Sequence, residues 1–486
     1  MKKSTEKRPG RQKGGDTVRT RQQAVLSAAG GIRKGQSFEL LIERFDQEGI
    51  ALGHYEGRTV LVPGAVPGDR CLVRISHVAR TGLHAELLKL IVPSGLRTKR
   101  SVCEDAQLCL GCSLIEMRYA EQVRWKHDQV REAMAGYASL KAVSVAEPIS
   151  PQQRLHYRTT AKLAVAGSHA EPYIGIYRRA SHDVVDLEDC PLHHPLVNKV
   201  VAAVRSGISK LKVPVWQDKN KSGILRYLVV RVSASRSEAM VTFVTARRAF
   251  NEIHHLARLL QERVPQVTVV CQNVNSSEGN VIFGPHDHFL TKQQTIQDRI
   301  GQVELLISPR SFLQVHNESA ALLYQAVSER AGLDGNQTVL DLYCGIGSIA
   351  LTLSSSAKQV LGIEVNPEAV ADARRNARLN NVRNCRFEAG DVRELMAELV
   401  EDQESIDLVV LNPPRKGCER EVLQQVAALQ PARIVYVSCS PQTLARDLDL
   451  LAGMDYRCRE VQPVDMFPQT PHVENVVLLE KLVKRP

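Results

Sequence analysis

No stretch of this chain approaches the ~20 consecutive apolar residues that a membrane-spanning helix requires. A membrane-embedded protein is therefore not expected. An apolar leader is also missing. The opening MKKSTEKRPGRQKGG is basic and has no hydrophobic stretch behind it, so it does not read as a secretory signal. The 11 cysteines are odd in number and lack the spacing of a disulfide framework, which points to a reducing, cytoplasmic compartment. The composition of a disordered chain or a coiled coil is absent too: hydrophobic residues make up 43% and charged residues 24%, as in globular proteins. What remains is a globular chain of 486 residues, long enough for two to four domains. Its net charge of +10 favours an anionic partner, of which nucleic acid is the commonest.

That charge is unevenly placed. Residues 1–34 hold ten Lys or Arg against Glu6 and Asp16, a net +8, which leaves +2 for the other 452 residues. The segment 1–30 has little to bury and reads as a disordered basic tail. It serves either as a solvated extension or as a mobile arm on nucleic-acid phosphates.

From Gln36 to Ile91, short runs such as FELLIERF, RTVLVPG and DRCLVRISHV alternate apolar and polar residues between glycines. This pattern predicts a small β-barrel. Cys103, Cys109 and Cys112 follow within ten residues, and Cys190, before a proline, offers a fourth thiol. Thiolates at this density suit a soft metal centre, either zinc or an iron–sulfur cluster. Residues 115–138 read as an amphipathic helix with Met117, Val123, Val130 and Met134 among its apolar positions. Residues 155–300 alternate strand and helix patterns, as in an α+β region.

The C-terminal half has a βαβ rhythm and predicts a mostly parallel sheet with ligands at the carboxyl ends of its strands. TVLDLYCGIGSIALTL is a strand, a turn at Gly345 and Gly347, and a helix. Glu364 ends the next strand and suits a ribose diol, while Asp391 follows the third strand and can accept from an adenine amino group. Together these resemble the S-adenosylmethionine site of seven-stranded methyltransferases.

NPPRKG at 412–417 resembles the Pro-Pro-aromatic motif of amino-methylating enzymes, but Arg415 stands where the aromatic would be. Cys439, in YVSCSP after an apolar strand, offers different chemistry. Carbon 5 of uracil is too weakly nucleophilic to attack a methyl sulfonium. A thiolate adding at C6 creates an enolate that activates C5. A base must then remove the C5 proton, and FPQTPHVENVVL supplies His472 and Glu474.

Cys439 in SCSP, Glu474 in HVEN, the NPPRKG segment and SFLQVH upstream resemble the bacterial RNA uracil-5-methyltransferases that carry a TRAM domain and a 4Fe–4S cluster. The resemblance runs from about residue 31 to 486. It implies a multidomain protein: a basic tail (1–30), an OB-like TRAM barrel (31–91), and an α+β central iron–sulfur and RNA-binding domain (92–114 and 147–305). A helix (115–146) would pack on the last domain, a Rossmann-like class I methyltransferase (306–486). It further implies that Cys439 is the nucleophile and Glu474 the base. Gln314, Tyr343, Ser348, Glu364, Asp391 and Asn412 would contact S-adenosylmethionine or lie beside the uracil, with Phe312 shaping the pocket. Cys103, Cys109, Cys112 and Cys190 would ligate the cluster. Position 412 is Asn where many members have Asp. Asn keeps one donor and one acceptor for a uracil edge but carries no charge. The implied substrate is 23S rRNA, with tRNA as the alternative and a non-catalytic RNA-binding or assembly role behind both. A monomer with no obligate protein partner is expected.

Overall fold

Four β-sheets, met in sequence order, organise the chain in this computed structural model. The described residues are 32–482, except positions 110, 179, 180, 182, 278 and 280. The expected basic tail, 1–30, lies outside them.

The first sheet has six strands, with Ser37–Leu41, Arg70–Val78, Leu83–Val92, Arg58–Val62, Ala51–Tyr55 and Arg44–Phe45 in spatial order. Its strands bury alternate residues: Cys71, Val73 and Ile75 point inward with Val60 and Val62. A sheet this short can bury its apolar face only by curling on itself. Arg97 then fastens the next segment to the barrel. Its guanidinium, nearly buried, bonds both Asp69 (2.7 Å) and Glu116 (2.7 Å).

The second sheet has seven strands, ordered Val184–Asp186, Pro172–Tyr177, Thr160–Gly167, Leu225–Ser233, Glu238–Thr245, Val267–Val274 and His286–Phe289. Helices Pro195–Leu211 and Glu252–Arg263 cover one face through a core that includes Val200, Val204, Leu256 and Leu260. The hairpin Ile296–Ile300 and Val303–Ile307 leads onward.

The last sheet has eight strands. Cys385–Ala389, Gln359–Glu364, Thr338–Leu342, Leu408–Leu411 and Arg433–Ser438 are parallel neighbours. Glu474–Lys481 joins antiparallel, then Tyr456–Val464. A two-residue strand from far upstream, Ser144–Val145, completes the edge. The five parallel strands end on one side, and that end carries the site.

The helix expected over 115–138 spans Tyr119–Ala135. Met117 is buried ahead of it, in a bridge to Arg97, and Val123 is only half-buried. The buried face instead carries Gln122 and Lys126 beside Val130 and Met134. Polar residues can occupy such a face when every group finds a partner, and here the loop before the strand Glu474–Lys481 supplies partners in Gln469 and Asp465. No helix among the described residues is long and apolar enough to cross a membrane.

Candidate active site

The turn after strand Thr338–Leu342 is conformationally demanding. Tyr343 has φ 63° and Gly347 has φ 84° before the helix Ser348–Leu353 begins. A side chain at 347 would strike the Phe387 ring at 2.9 Å, so glycine is required there on two counts. The non-glycine residue at positive φ marks local strain at the site. A small cleft of about 50 Å³ opens at this turn, lined by Phe312, Gln314, Asp341, Tyr343, Ser348 and Asn412 among others.

Each lining residue is placed by a neighbour. Ser348 is buried and hydrogen-bonded to Tyr324. Tyr343 bonds the Cys418 thiol. The segment bearing Phe312 and Gln314 is held at Ser311, whose hydroxyl donates to Asp372 and whose carbonyl accepts from Arg231 of the central sheet. Gln314 is buried, whereas Phe312 stands 70% exposed at the rim. Asn412 follows strand Leu408–Leu411 and donates its backbone N–H to the Leu342 carbonyl (3.4 Å).

Asp341, in the strand that leads into the turn DLYCGIG, is a residue the sequence reading does not single out. It is fully buried. One carboxylate oxygen accepts the Ala350 N–H (3.0 Å) and the other has no partner. Burial pushes its carboxyl up to about 7, partly countered by the Ala350 N–H. An unpartnered buried carboxylate oxygen in a cleft wall fits a ligand that brings a donor or a cation.

Glu364 accepts N–H groups from Gly345 (3.2 Å) and Asn366 (2.9 Å), so it is held at the end of its strand. Asp391 sits beside it, after the neighbouring strand, and caps helix Val392–Glu401 by accepting the Arg393 N–H (2.9 Å). That bond, with the Arg393 side chain behind it, holds the Asp391 carboxyl below its ordinary value. Carboxylates at two adjacent strand ends, next to an orphaned one in the cleft, suit the diol, amine and ammonium groups of S-adenosylmethionine.

Sheet register unites Cys439 and Glu474. Ser438 pairs with Asn475 in the antiparallel ladder, so the next residue of one strand lies opposite the first of the other. Glu474 is 5% exposed, and burial lifts its carboxyl to about 7, with Arg415 acting to lower it. The Cys439 thiol is raised to about 11, first by burial and then by Glu474, while Arg415 lowers it by charge and hydrogen bond. Arg415 also reaches His472, with its Nη2 3.1 Å from Nε2. Burial and that guanidinium drop His472 to about 4, so its imidazole is neutral. Arg415 thus sits among all three groups. The sequence marked it only as the residue replacing an aromatic.

The four cysteines also come together. Cys103, Cys112 and Cys190 pack against one small cluster of Ile115, Tyr157 and Leu192. Each of the four thiols, Cys109 included, lies within electrostatic reach of the other three, and none is in a disulfide. Among the described residues no group of three is arranged around a single metal-ion position. Cysteine sulfur is the donor type of zinc and iron–sulfur centres, but the four thiols are not arranged around one ion position.

The chain is similar to known proteins along most of its length. The profile of the family described as tRNA (Uracil-5-)-methyltransferase covers residues 118–482, and that of the TRAM domain covers 33–88. An uncharacterised RNA methyltransferase of Geobacter sulfurreducens is 52% identical over 461 residues, 95% of this chain and 93% of its own length. Another, from Halalkalibacterium halodurans, is 35% identical over 449 residues, 92% of this chain and 98% of its own. The crystal structure of Pyrococcus abyssi tRNA (uracil-54, C5)-methyltransferase in complex with S-adenosyl-L-homocysteine is similar with a TM-score of 0.74 and 29% identity, covering 91% of this chain and 100% of that one. This chain belongs to the tRNA (uracil-5-)-methyltransferase family and is an S-adenosylmethionine-dependent RNA (uracil-5-)-methyltransferase.

Proposed function

We propose that the protein methylates C5 of a uridine in tRNA, with Cys439 as nucleophile and Glu474 as the base. The observation that carries the mechanism is the meeting of Cys439, Glu474 and Arg415 at paired strand ends. S-adenosylmethionine supplies the electrophilic methyl group and leaves as S-adenosylhomocysteine. The Cys439 thiolate bonds C6 of the uracil, and the C5=C6 electron pair shifts toward O4 as an enolate. C5 becomes the nucleophile and gains the methyl group. Glu474 then takes the C5 proton, the double bond re-forms, and the C6–S bond breaks to return the thiolate. A carboxyl lifted to about 7 is matched to this proton transfer, whereas a neutral imidazole at about 4 is a poor acceptor.

Gln314, Tyr343, Ser348, Glu364, Asp391 and Asn412 are assigned to the cofactor and uracil pocket, with Asp341 added to them. Cys103, Cys109, Cys112 and Cys190 are assigned to a 4Fe–4S cluster that shapes the region without entering the reaction. The TRAM barrel and central domain hold folded RNA while the uridine flips out of its loop.

The sequence resemblance implies 23S rRNA, with tRNA as the alternative. The similarity to the P. abyssi enzyme, a tRNA (uracil-54, C5)-methyltransferase, supports tRNA instead. Mapping 5-methyluridine in tRNA and 23S rRNA from strains with and without the protein tests this. Loss confined to tRNA is the expected result, and loss confined to 23S rRNA would overturn it.

A further inference from the structure

The reaction needs Glu474 held at one place, yet the segment before it, 465–473, has no regular structure. Its three consecutive carbonyls at 467, 468 and 469 each accept a hydrogen bond from outside the methyltransferase sheet. Lys126 Nζ donates to Phe467 O (3.0 Å), Tyr157 Oη to Pro468 O (2.9 Å), and the Leu114 N–H to Gln469 O (3.1 Å).

Helix Tyr119–Ala135 contributes five hydrogen bonds to this segment. Lys126 and Asp465, both with fully buried side chains, form an ion pair of 2.6 Å. Tyr119 Oη donates to the other Asp465 oxygen (2.8 Å). Gln122 makes a two-way amide pair with Gln469: its Nε2 donates to Oε1 (2.8 Å), and its Oε1 accepts the Gln469 N–H (3.0 Å). Gln469 has φ 73°, a conformation that a glutamine adopts only when its surroundings impose it. Tyr119, Gln122 and Lys126 recur at helical spacing and form one stripe.

We propose that this stripe is a positioning device for the catalytic base: Tyr119, Gln122 and Lys126 hold 465–473 so that Glu474 meets the C5 proton. None of the three touches the reacting atoms. The proposal rests on Glu474 being the base. Buried polar side chains that bond one loop backbone specify its position more sharply than apolar packing does. The same loop also accepts the Leu114 N–H, and the Leu114 side chain packs in the core of the first sheet, so that sheet braces the loop from a second side.

The test separates methyl transfer from product release. Full-length Tyr119→Phe, Gln122→Leu and the double variant Lys126→Met/Asp465→Leu are each incubated with S-adenosylmethionine and unmodified transcript of the RNA identified by mapping. Single-turnover methyl transfer and the covalent protein–RNA adduct surviving denaturation are followed together. Methyl transfer should stay within about twofold while adduct resolution slows about tenfold, the effect of losing one buried hydrogen bond to a charged or rigid partner. If the double variant does not fold, Tyr119→Phe and Gln122→Leu, which leave no buried charge unpaired, decide the matter. Glu474→Gln is the reference. If it traps adduct while folded stripe variants resolve theirs at the wild-type rate, or lose both steps equally, the positioning role is overturned. If Glu474→Gln transfers methyl and traps nothing, the base assignment fails instead.

Discussion

Burial of Glu474 makes a prediction that can be checked without any RNA. A carboxyl moved from its ordinary 4.5 to about 7 by loss of solvent is a carboxylate that the fold disfavours. Below pH 4.5 the group is neutral in both folded and unfolded chains. As pH rises, the unfolded chain ionises first, so the favourable contribution shrinks and is gone once the pH passes about 7. The size of the loss is roughly 3 kcal/mol. Glu474→Gln removes the titration and keeps the shape. Its stability relative to wild type should therefore rise between pH 5 and pH 8 and level off above. The assay is urea unfolding of both proteins, followed at the transition of the catalytic domain because a multidomain chain need not unfold in one step. Asp341 is also raised to about 7, but it is present in both proteins and cancels in the difference. A gap between the two proteins that does not change with pH would refute the reasoning. It would mean that the carboxylate is solvated or paired in the native state.

The other predictions concern the chemistry. Cys439→Ala should bind S-adenosylmethionine within about twofold of wild type, by calorimetry, and transfer no methyl group; full turnover would exclude a covalent mechanism. Arg415→Met removes the cation that lowers both Cys439 and Glu474. The rising limb of its rate–pH profile should move to higher pH with about a tenfold loss at neutral pH, and an unmoved limb would remove Arg415 from thiol activation. Asp341→Asn should weaken S-adenosylmethionine binding about tenfold, since the unpartnered oxygen loses its charge; unchanged affinity would count against its assignment to the pocket. Cys190→Ala should lose bound iron, measured by elemental analysis with the visible absorbance of the cluster, and zinc in the wild-type protein would replace the cluster reading.

Much of the catalytic half was legible from local pattern. Apolar runs separated by helical patterns and a Gly-rich turn define a parallel sheet, and such a sheet presents its ligand site at strand ends. Glu364 and Asp391 could be found that way because each directly follows a strand. Asp341 was missed because an acid inside an apolar strand looks like part of the strand, and only burial shows that one oxygen has no partner. Gln122 and Lys126 were missed for a related reason. Helical periodicity places apolar residues on the buried face, and a buried lysine is revealed only by the aspartate it meets 339 positions away.

The sequence by itself determined the chemistry available: one cysteine after a strand, one acid at the start of another, and a family signature joining them. These are local features, set by residue type and by spacing along the backbone. Tertiary structure alone decided which groups act on one another. Antiparallel pairing of Ser438 with Asn475 sets Cys439 beside Glu474, and the loop at 472 brings His472 and Arg415 together. Their protonation then follows from burial and neighbouring charge, which depend on distances through space that no spacing along the chain encodes.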